Sequence, residues 1–349
     1  MRRLLVYPFT LETVPLVRFK DGLVGYDAVI PVIEKGSKLT CNLDISYIDG
    51  GCFCGEPTLE DFKLLVADAS GVLFSCDMRD IETGHDYISI AREHGKDILY
   101  CGNYSKDFEN DFVGSQCINH PILSAESAPE DSLLEIPVPT ITVAGQGQQC
   151  DKFNIQMGLG KTLRELGYNV SQVGTKSYCA LFGIHPLPQI PDAPLWKKII
   201  LYNRFFREVV EKEKPDVLIV GVPGGIMPID GRHNELFGET AIAISKSLRP
   251  DISIHSMYYG KVDNDYLSNT ISYAKYALDS PFDYFHLSST KLVVEQDLRT
   301  ISYLTTDSSR VFEIQDNIDD RFFNVFSDCT SAAVYRSVVS RLQNNIETL

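Results

Sequence analysis

The sequence predicts an α/β protein with two domains, on three observations. Its 349 residues suffice for two ordinary domains, each with its own core. Apolar runs of strand length alternate with helical stretches in both halves of the chain, which favours largely parallel sheets. The segment "NHPILSAESAPEDSLLEIPVP" between the two halves contains prolines and acidic residues and shows no hydrophobic periodicity, which is typical of a linker. We therefore predict an N-terminal Rossmann-like α/β domain over 1–120, a linker over 121–138 and a second α/β domain over 139–349.

The N-terminal domain is predicted from short runs in order. "RLLVYPF" and "SGVLFSCD" are apolar and of strand length, and "DYISIAREHGKDILYCGN" predicts a helix, a stop at Gly95 and a further strand. "FKDGLVGYDAVIPV" and "SKLTCNLDISYIDGG" predict further extended pieces.

The second domain repeats the alternation. "TITVAGQGQ" predicts a strand and a turn, followed by a helix over about 151–166 that ends at Gly167 and the strand "NVSQVGT". A helix over about 198–213 leads into "DVLIVGV", and "ETAIAISKSL" and "ISIHSMYY" predict a helix and a strand. "DYFHLSS" and "TISYLTT" predict strands, and "SAAVYRSVVSRLQNNI" predicts a final amphipathic helix.

Composition narrows the class of protein. With 44% hydrophobic and 23% charged residues the chain is typical of a soluble globular protein, and no apolar run approaches the roughly 20 residues that span a bilayer. The net charge of -15 argues against a nucleic-acid partner, because phosphate backbones are bound through excess Lys and Arg. We expect an acidic cytoplasmic protein that does not bind membranes.

The nine cysteines are spread along the chain, and most are predicted to be buried thiols. Cys52 and Cys54 form a Cys-x-Cys pair that suits a metal or a redox pair, but no second pair or His follows at ligand spacing. The sequence favours a plain loop there, leaves the role of the pair open, and predicts no metal site.

The stretch "GQGQQCDKF", Gly145 to Phe153, has the layout of a phosphate-binding loop. A strand enters a glycine-rich turn, and a lysine follows where a helix begins, which is how backbone N–H groups and a helix dipole are aimed at a phosphate. The literal "GLGKT" at 158–162 is rejected, because its lysine would lie inside the helix. Asp151 stands where glycine is expected, and Phe153 stands where a Mg²⁺-binding hydroxyl is expected.

The Gly-x5 spacing resembles the dethiobiotin synthetase-like branch of P-loop proteins. "GTKSY" matches that family's lysine after the second strand at Lys176, and "DVLIVGVPGGIMP" resembles its glycine-rich third element at Gly224, Gly225 and Pro228. The resemblance implies a P-loop NTPase-like parallel-sheet domain. The acidic residue that would bind Mg²⁺ is replaced by Gly221 or Val222, so ordinary MgATP hydrolysis is not expected.

A second resemblance spans nearly the whole chain. "VAGQGQQCDKF", "LRELGYNVSQVGTKSYCALFGIHPLP", "PDVLIVGVPGGIMP" and "HNELFGE" resemble a family of peptide-maturation proteins found beside radical-SAM maturases in clostridial-type clusters for ribosomally made peptides. The resemblance implies an accessory role with a precursor peptide or a maturase as partner. The resemblance suggests the pathway in which the protein acts, and it does not imply a chemical reaction.

Because loops gather at the carboxyl ends of parallel strands, the candidate ligand-binding residues are expected to form one crevice. In the loop at 222–234, Gly224 and Gly225 allow close approach, and the polar side chains suit ligand binding, as a solvated loop also would. The predicted set is Gly145, Gly147, Asp151, Lys152, Lys176, Gly224, Gly225, Arg232, His233 and Asn234. Asp230 and Glu235 are further acids of the loop.

No catalytic residue is assigned from the sequence. The cofactor is left open, with a nucleotide as the candidate, and the oligomeric state is not determined. Three functions are carried forward: an accessory protein that binds an anionic ligand, precursor peptide or maturase; an ATP-dependent ligase or carboxylate-activating enzyme; and a small-molecule-binding protein.

Overall fold

The computed structural model describes residues 1–33, 59–75, 81–101, 111–127, 132–295, 300–316 and 318–346. The chain divides into two compact units: unit 1 is Met1–His120 with Lys176–Pro186, and unit 2 is Pro121–Thr175 with Leu187–Leu349. Lys176–Pro186 therefore clusters apart from the rest of the predicted second domain, whose boundaries remain a prediction. Cys52, Cys54 and the run "SKLTCNLDISYIDGG" lie outside the described residues.

Unit 1 contains a parallel sheet, and the predicted strands in "RLLVYPF" and "SGVLFSCD" are two of its strands. The strands are β1 (Arg3–Tyr7), β2 (Ala28–Pro31), β3 (Gly71–Phe74), β4 (Asp97–Tyr100) and β5 (Gln116–Cys117). Their spatial order is β2-β1-β3-β4-β5, with every neighbouring pair parallel, which is the order of flavodoxin-like doubly wound sheets.

The helices of unit 1 are α1 (Val14–Arg18), α2 (Leu59–Asp68) and α3 (Ile81–Glu93). An aromatic cluster fills the core against the sheet: the rings of Phe62 and Tyr87 stack at 3.7 Å, and Tyr7 meets Tyr87 edge-on at 4.8 Å. The segment Lys176–Pro186 adds a short turn (Cys179–Phe182) and β8 (His185–Pro186).

Unit 2 contains a second parallel sheet. Its strands are β6 (Thr140–Gly145), β7 (Val170–Gly174), β9 (Val217–Gly221), β10 (Ile252–Met257), β11 (Tyr284–Leu287) and β14 (Phe322–Phe323). They lie in the order β14-β11-β10-β6-β9-β7, and the neighbouring pairs described are parallel. The predicted α/β class with two parallel-sheet domains is confirmed.

The helices of unit 2 are α4 (Lys152–Glu165), α5 (Leu195–Glu213), α6 (Glu239–Leu248), α7 (Asn264–Ala277), α8 (Arg310–Glu313) and α9 (Asp328–Ile346). Strands β12 (Thr290–Val294) and β13 (Ile301–Thr305) form a separate antiparallel pair. No prediction covered α7, although Leu267, Ile271 and Ala274 recur at helical spacing along it and pack on the core of unit 2. No helix in the described residues is long and apolar enough to cross a bilayer.

Both faces of the unit 2 sheet are covered. Alternate residues of β6 enter two different clusters: Ile141 and Val143 pack with Leu159 of α4 and Val338 of α9, whereas Ala144 packs with the cluster of α5 and α6. Strands β6, β9 and β10 are buried throughout, as expected for parallel strands between helical layers. The central strand β6 therefore delivers its carboxyl end, Gly145, to the edge of the sheet where loops gather.

Candidate functional site

The glycine-rich stretch has the predicted order of strand, turn and helix. β6 ends at Gly145, and α4 begins at Lys152. Asp151 immediately before the helix is left-handed, with φ 61 and ψ 11. Glycine takes this conformation without strain, and Asp is among the few other residues that tolerate it. The position expected to be glycine thus keeps a glycine-like backbone while it carries a carboxylate.

The alternative motif "GLGKT" lies inside α4. The side chain of Lys161 is 78% exposed and pairs with Glu165 one turn later, and the hydroxyl of Thr162 donates to the Gly158 carbonyl at 3.0 Å. These residues form an ordinary helical surface.

The Asp151 carboxylate is held in place by two donors. Asn154 Nδ2 donates to Oδ1 at 2.8 Å, and the hydroxyl of Ser288, just after β11, donates to Oδ2. Phe153 beside it is 5% exposed, so the position of the expected hydroxyl carries a buried ring. The start of α4 therefore presents a fixed negative charge and no hydroxyl from position 153.

Lys152 is buried, with 9% of its surface exposed, and its ammonium donates to the carbonyl oxygen of Gly224. Burial lowers the pKa of His255 to about 3, and the charge of Lys152 adds to this effect. The lysine of the loop thus reaches across to the turn that follows β9.

The turn after β9 packs directly on the glycine loop. A Cβ on Gly225 would stand 2.4 Å from the carbonyl oxygen of Gln146, so only glycine permits this approach. The Ile226 N–H donates to the Gly145 carbonyl at 3.1 Å. The structure therefore brings together four residues of the predicted set, namely Gly145, Lys152, Gly224 and Gly225.

Glu235 enters the same place from further along the loop. Its Oε2 accepts a hydrogen bond from the Gly225 N–H at 2.8 Å. Its charge also contributes, after burial, Cys150 and Tyr303, to the raised pKa of Tyr258. A carboxylate thus stands at the glycine turn.

Arg232, His233 and Asn234 build a tight local turn. Asp230 Oδ1 accepts from the N–H groups of Arg232 and His233 at 2.7 and 2.8 Å, and His233 Nδ1 lies 3.0 Å from the same carboxylate. The N–H of His233 is the main reason that the pKa of Asp230 falls to about 2. Asn234 Oδ1 accepts from the Leu236 N–H at 3.0 Å. These bonds define the loop, and a ligand-binding role for the three residues remains a prediction.

Three consecutive residues after Asn234 are left-handed without being glycine. Glu235, Leu236 and Phe237 have φ values of 45, 51 and 54. This conformation costs about 1–2 kcal/mol per L-residue. Leu236 and Phe237 are 64% and 69% exposed, so little burial offsets this strain.

The floor of the loop is a hydrogen-bonded layer formed by residues of β10, β11 and α7 and by Tyr258, which follows β10. Gln146 Oε1 accepts from the Tyr258 N–H at 2.7 Å, and its Nε2 donates to the hydroxyl of Tyr266 at 2.7 Å. The hydroxyl of Ser256 donates to the Cys150 carbonyl and lies 2.9 Å from Nδ1 of His286. Gly147 contacts this layer too, since a Cβ there would meet the Tyr258 hydroxyl at 2.5 Å.

Two buried histidines underlie this layer. Burial lowers the pKa of His286 to about 4, and the nearby Asp151 opposes the shift. Among the described residues, neither ring nitrogen of His255 has a hydrogen-bond partner, and its ring stacks on Phe282 at 4.5 Å. Both rings are therefore neutral at ordinary pH.

Lys176 belongs to unit 1, and the other predicted residues belong to unit 2. Its ammonium lies 2.6 Å from Oε1 of Glu12, also in unit 1. A phosphate-binding role for Lys176 remains a prediction. Cys150 and Cys179 are buried thiols that form no disulfide, as expected.

Several residues of this region were not predicted as site residues. Glu235 was named only as one of two acids of the loop, and its contact with Gly225 depends on how the loop folds back. Ser288, Ser256 and Tyr258 lie at the carboxyl ends of strands, so the strand-end rule offered a signal for them. No sequence signal pairs Asp151 with Ser288.

The assembled groups suit an anion. Three groups that attract negative charge lie near the end of the central strand: the ammonium of Lys152, the start of α4 and the N–H of Gly225. Two carboxylates, Asp151 and Glu235, stand among them.

A structure of a DUF1611 family protein from Anabaena variabilis is similar to this chain with a TM-score of 0.52. The identity is 11%, over 82% of this chain and 88% of that one. Chloroplast FtsY from Physcomitrella patens aligns at a TM-score of 0.26 and 14% identity over 80% of each chain. A LAO/AO transport system kinase aligns at 0.33 and 8% identity over 84% of this chain and 80% of its own.

No protein-family model matches the chain, and no curated protein sequence matches it. The likeness to the DUF1611 family protein concerns the fold alone, because the identity is low. The other two scores are too low to establish a shared fold. Unit 2 therefore has a P-loop-like α/β fold. The assignment rests on its parallel sheet and on its strand–glycine turn–helix element.

Proposed function

We propose that this protein is an accessory binding protein of a pathway that matures ribosomally made peptides, and that unit 2 holds an anionic ligand at its glycine loop. The observation that carries the binding role is Lys152, a buried ammonium at the start of α4 that lies against the Gly224–Gly225 turn. A buried ammonium at the N-terminus of a helix attracts phosphate or carboxylate.

A ligand without Mg²⁺-dependent hydrolysis fits the loop better than MgATP. Asp151 adds negative charge beside the place of a phosphate chain, and Phe153 supplies no oxygen for a metal. The pathway part of the proposal is supported by the sequence resemblance to peptide-maturation proteins. A precursor peptide or its radical-SAM maturase is the proposed partner.

Calorimetry with pyrophosphate, ADP, ATP and GTP, with and without Mg²⁺, tests the binding role. Lys152→Met keeps the apolar stem of the buried side chain and removes its charge, and Lys161→Met on the exposed face of α4 is the matched control. We expect anion binding by the wild type and by Lys161→Met, its loss in Lys152→Met, and no gain from Mg²⁺.

Two results would contradict this proposal. If no anion binds, the proposal that unit 2 holds an anionic ligand is excluded. Nucleotide binding that needs Mg²⁺, or nucleotide turnover, would favour the alternative of an ATP-dependent ligase or carboxylate-activating enzyme. The partner is tested separately by fluorescence polarisation with a labelled precursor peptide of such a pathway. Binding is expected, and its absence excludes the peptide as the partner.

A further inference from the structure

One peptide group joins Lys152 to Glu235. The ammonium of Lys152 binds the carbonyl of Gly224, and the carboxylate of Glu235 binds the N–H of Gly225, which belongs to the same peptide group. In a trans peptide these two atoms point in opposite directions, so a positive and a negative side chain lie at the two ends of one dipole. Both charges are thereby satisfied inside the protein.

An anion that binds at the glycine turn competes with Glu235 for one donor. The Gly225 N–H is a donor of the glycine turn, and it is occupied by Glu235 at 2.8 Å. The charge of Glu235 also reaches Tyr258, beside Gly147. A ligand that bound while Glu235 stayed in place would bring two negative charges together in a partly buried site.

The segment that carries Glu235 is strained. Glu235, Leu236 and Phe237 are left-handed, and Leu236 and Phe237 remain largely exposed. Gly238 ends the turn with φ +74, and a Cβ there would lie 1.9 Å from the Ile226 carbonyl oxygen, so the end of the segment is fixed. Strain of this kind persists only while other contacts hold it, and the Glu235–Gly225 bond is such a contact.

We propose that Glu235 is a tethered internal competitor of the ligand at the glycine turn, released when a phosphate- or carboxylate-bearing small molecule takes its place. This inference rests on the proposed anion-binding function and adds its regulation. Binding of the anion breaks the Glu235–Gly225 hydrogen bond, and the strained segment 235–237 then relaxes away from the turn.

The first test compares affinities for pyrophosphate and for malonate. Glu235→Gln removes the charge and keeps the shape, and Glu165→Gln, at an exposed position of α4, is a control with the same change in net charge. We expect Glu235→Gln to bind both anions about tenfold more tightly and by a similar factor, because each ligand displaces the same carboxylate. Glu165→Gln is expected to match the wild type.

The strain predicts a change of opposite sign. The double variant Leu236→Gly with Phe237→Gly removes the backbone strain of the segment while Glu235 is bound to Gly225. Because this stabilises the ligand-free state, we expect the variant to bind both anions several-fold more weakly. Hydrogen exchange gives a separate readout: saturating pyrophosphate is expected to speed exchange at the amides of Leu236 and Phe237 in the wild type.

The outcomes separate this inference from the function on which it rests. If neither the wild type nor Glu235→Gln binds any anion, both fail. If the wild type binds through Lys152 while Glu235→Gln binds no more tightly and exchange at 236 and 237 does not rise, only the internal competitor is excluded. Weaker binding by Glu235→Gln would instead mean that Glu235 holds the glycine turn in its binding conformation, and it would overturn this inference.

Discussion

Ser288 donates a hydrogen bond to the carboxylate of Asp151 across the gap between the end of β11 and the start of α4. The contact fixes a negative charge at a position of the loop where the backbone conformation favours glycine. Asp151 therefore combines the backbone conformation expected of a phosphate-binding loop with a charge that repels a polyphosphate.

Asp151→Asn isolates that charge. Asn also tolerates the left-handed conformation and can keep a hydrogen bond to Ser288, so the fold should be retained. We expect pyrophosphate to bind about 5–10-fold more tightly, because one nearby negative charge is removed. Calorimetry measures the change. Unchanged affinity would show that the carboxylate does not face the ligand.

Gly225→Ala tests the contact between the two glycine segments. Its Cβ would meet the Gln146 carbonyl oxygen at 2.4 Å, whereas a Cβ on Gly231 in the same loop would meet nothing within 4 Å. We expect Gly225→Ala to lower the free energy of unfolding by about 1–3 kcal/mol and Gly231→Ala to change it by less than about 0.5 kcal/mol. Urea titration measures both. If both substitutions changed the free energy of unfolding equally, Gly225 would not lie against Gln146 of the glycine loop.

Leu236→Gly tests the left-handed strain. The residue has φ 51 and is 64% exposed, so glycine relieves the backbone with little loss of burial. We expect the free energy of unfolding to rise by about 0.5–1 kcal/mol. Leu304→Gly in β13, where the leucine is 57% exposed, should lower the free energy by a similar amount, because glycine weakens a strand. A loss of stability in both variants would contradict a strained turn.

Acid should destabilise unit 2 through its buried histidines. The pKa of His255 is lowered from 6.5 to about 3 and that of His286 to about 4, so the unfolded chain takes up the protons first. The stability that these neutral rings contribute is complete above pH 6.5 and is lost as the pH falls below it. Each should account for about 2 kcal/mol between pH 8 and pH 5.

His255→Phe removes one of these titrations and keeps a ring against Phe282. Urea titrations at pH 8 and pH 5 should show a smaller loss of stability in this variant than in the wild type. A loss equal to that of the wild type would mean that His255 does not take up a proton on unfolding.

Much of the fold follows from local sequence. The run from Thr140 to Gly145, the glycine turn and the helix from Lys152 were predicted because period, glycine content and helix ends are properties of neighbouring residues. No prediction covered α7, although Leu267, Ile271 and Ala274 lie at helical spacing and pack on the core of unit 2.

The sequence by itself determined the α/β class, the strand–turn–helix element and the substitutions Asp151 and Phe153 within it. Only the tertiary structure decided that Ser288 holds Asp151, that Lys152 and Glu235 share the Gly224–Gly225 peptide, and that Lys176 pairs with Glu12 in unit 1. Those contacts depend on strand order and on how loops fold back. They join residues far apart in the chain, and no local preference of the backbone encodes them.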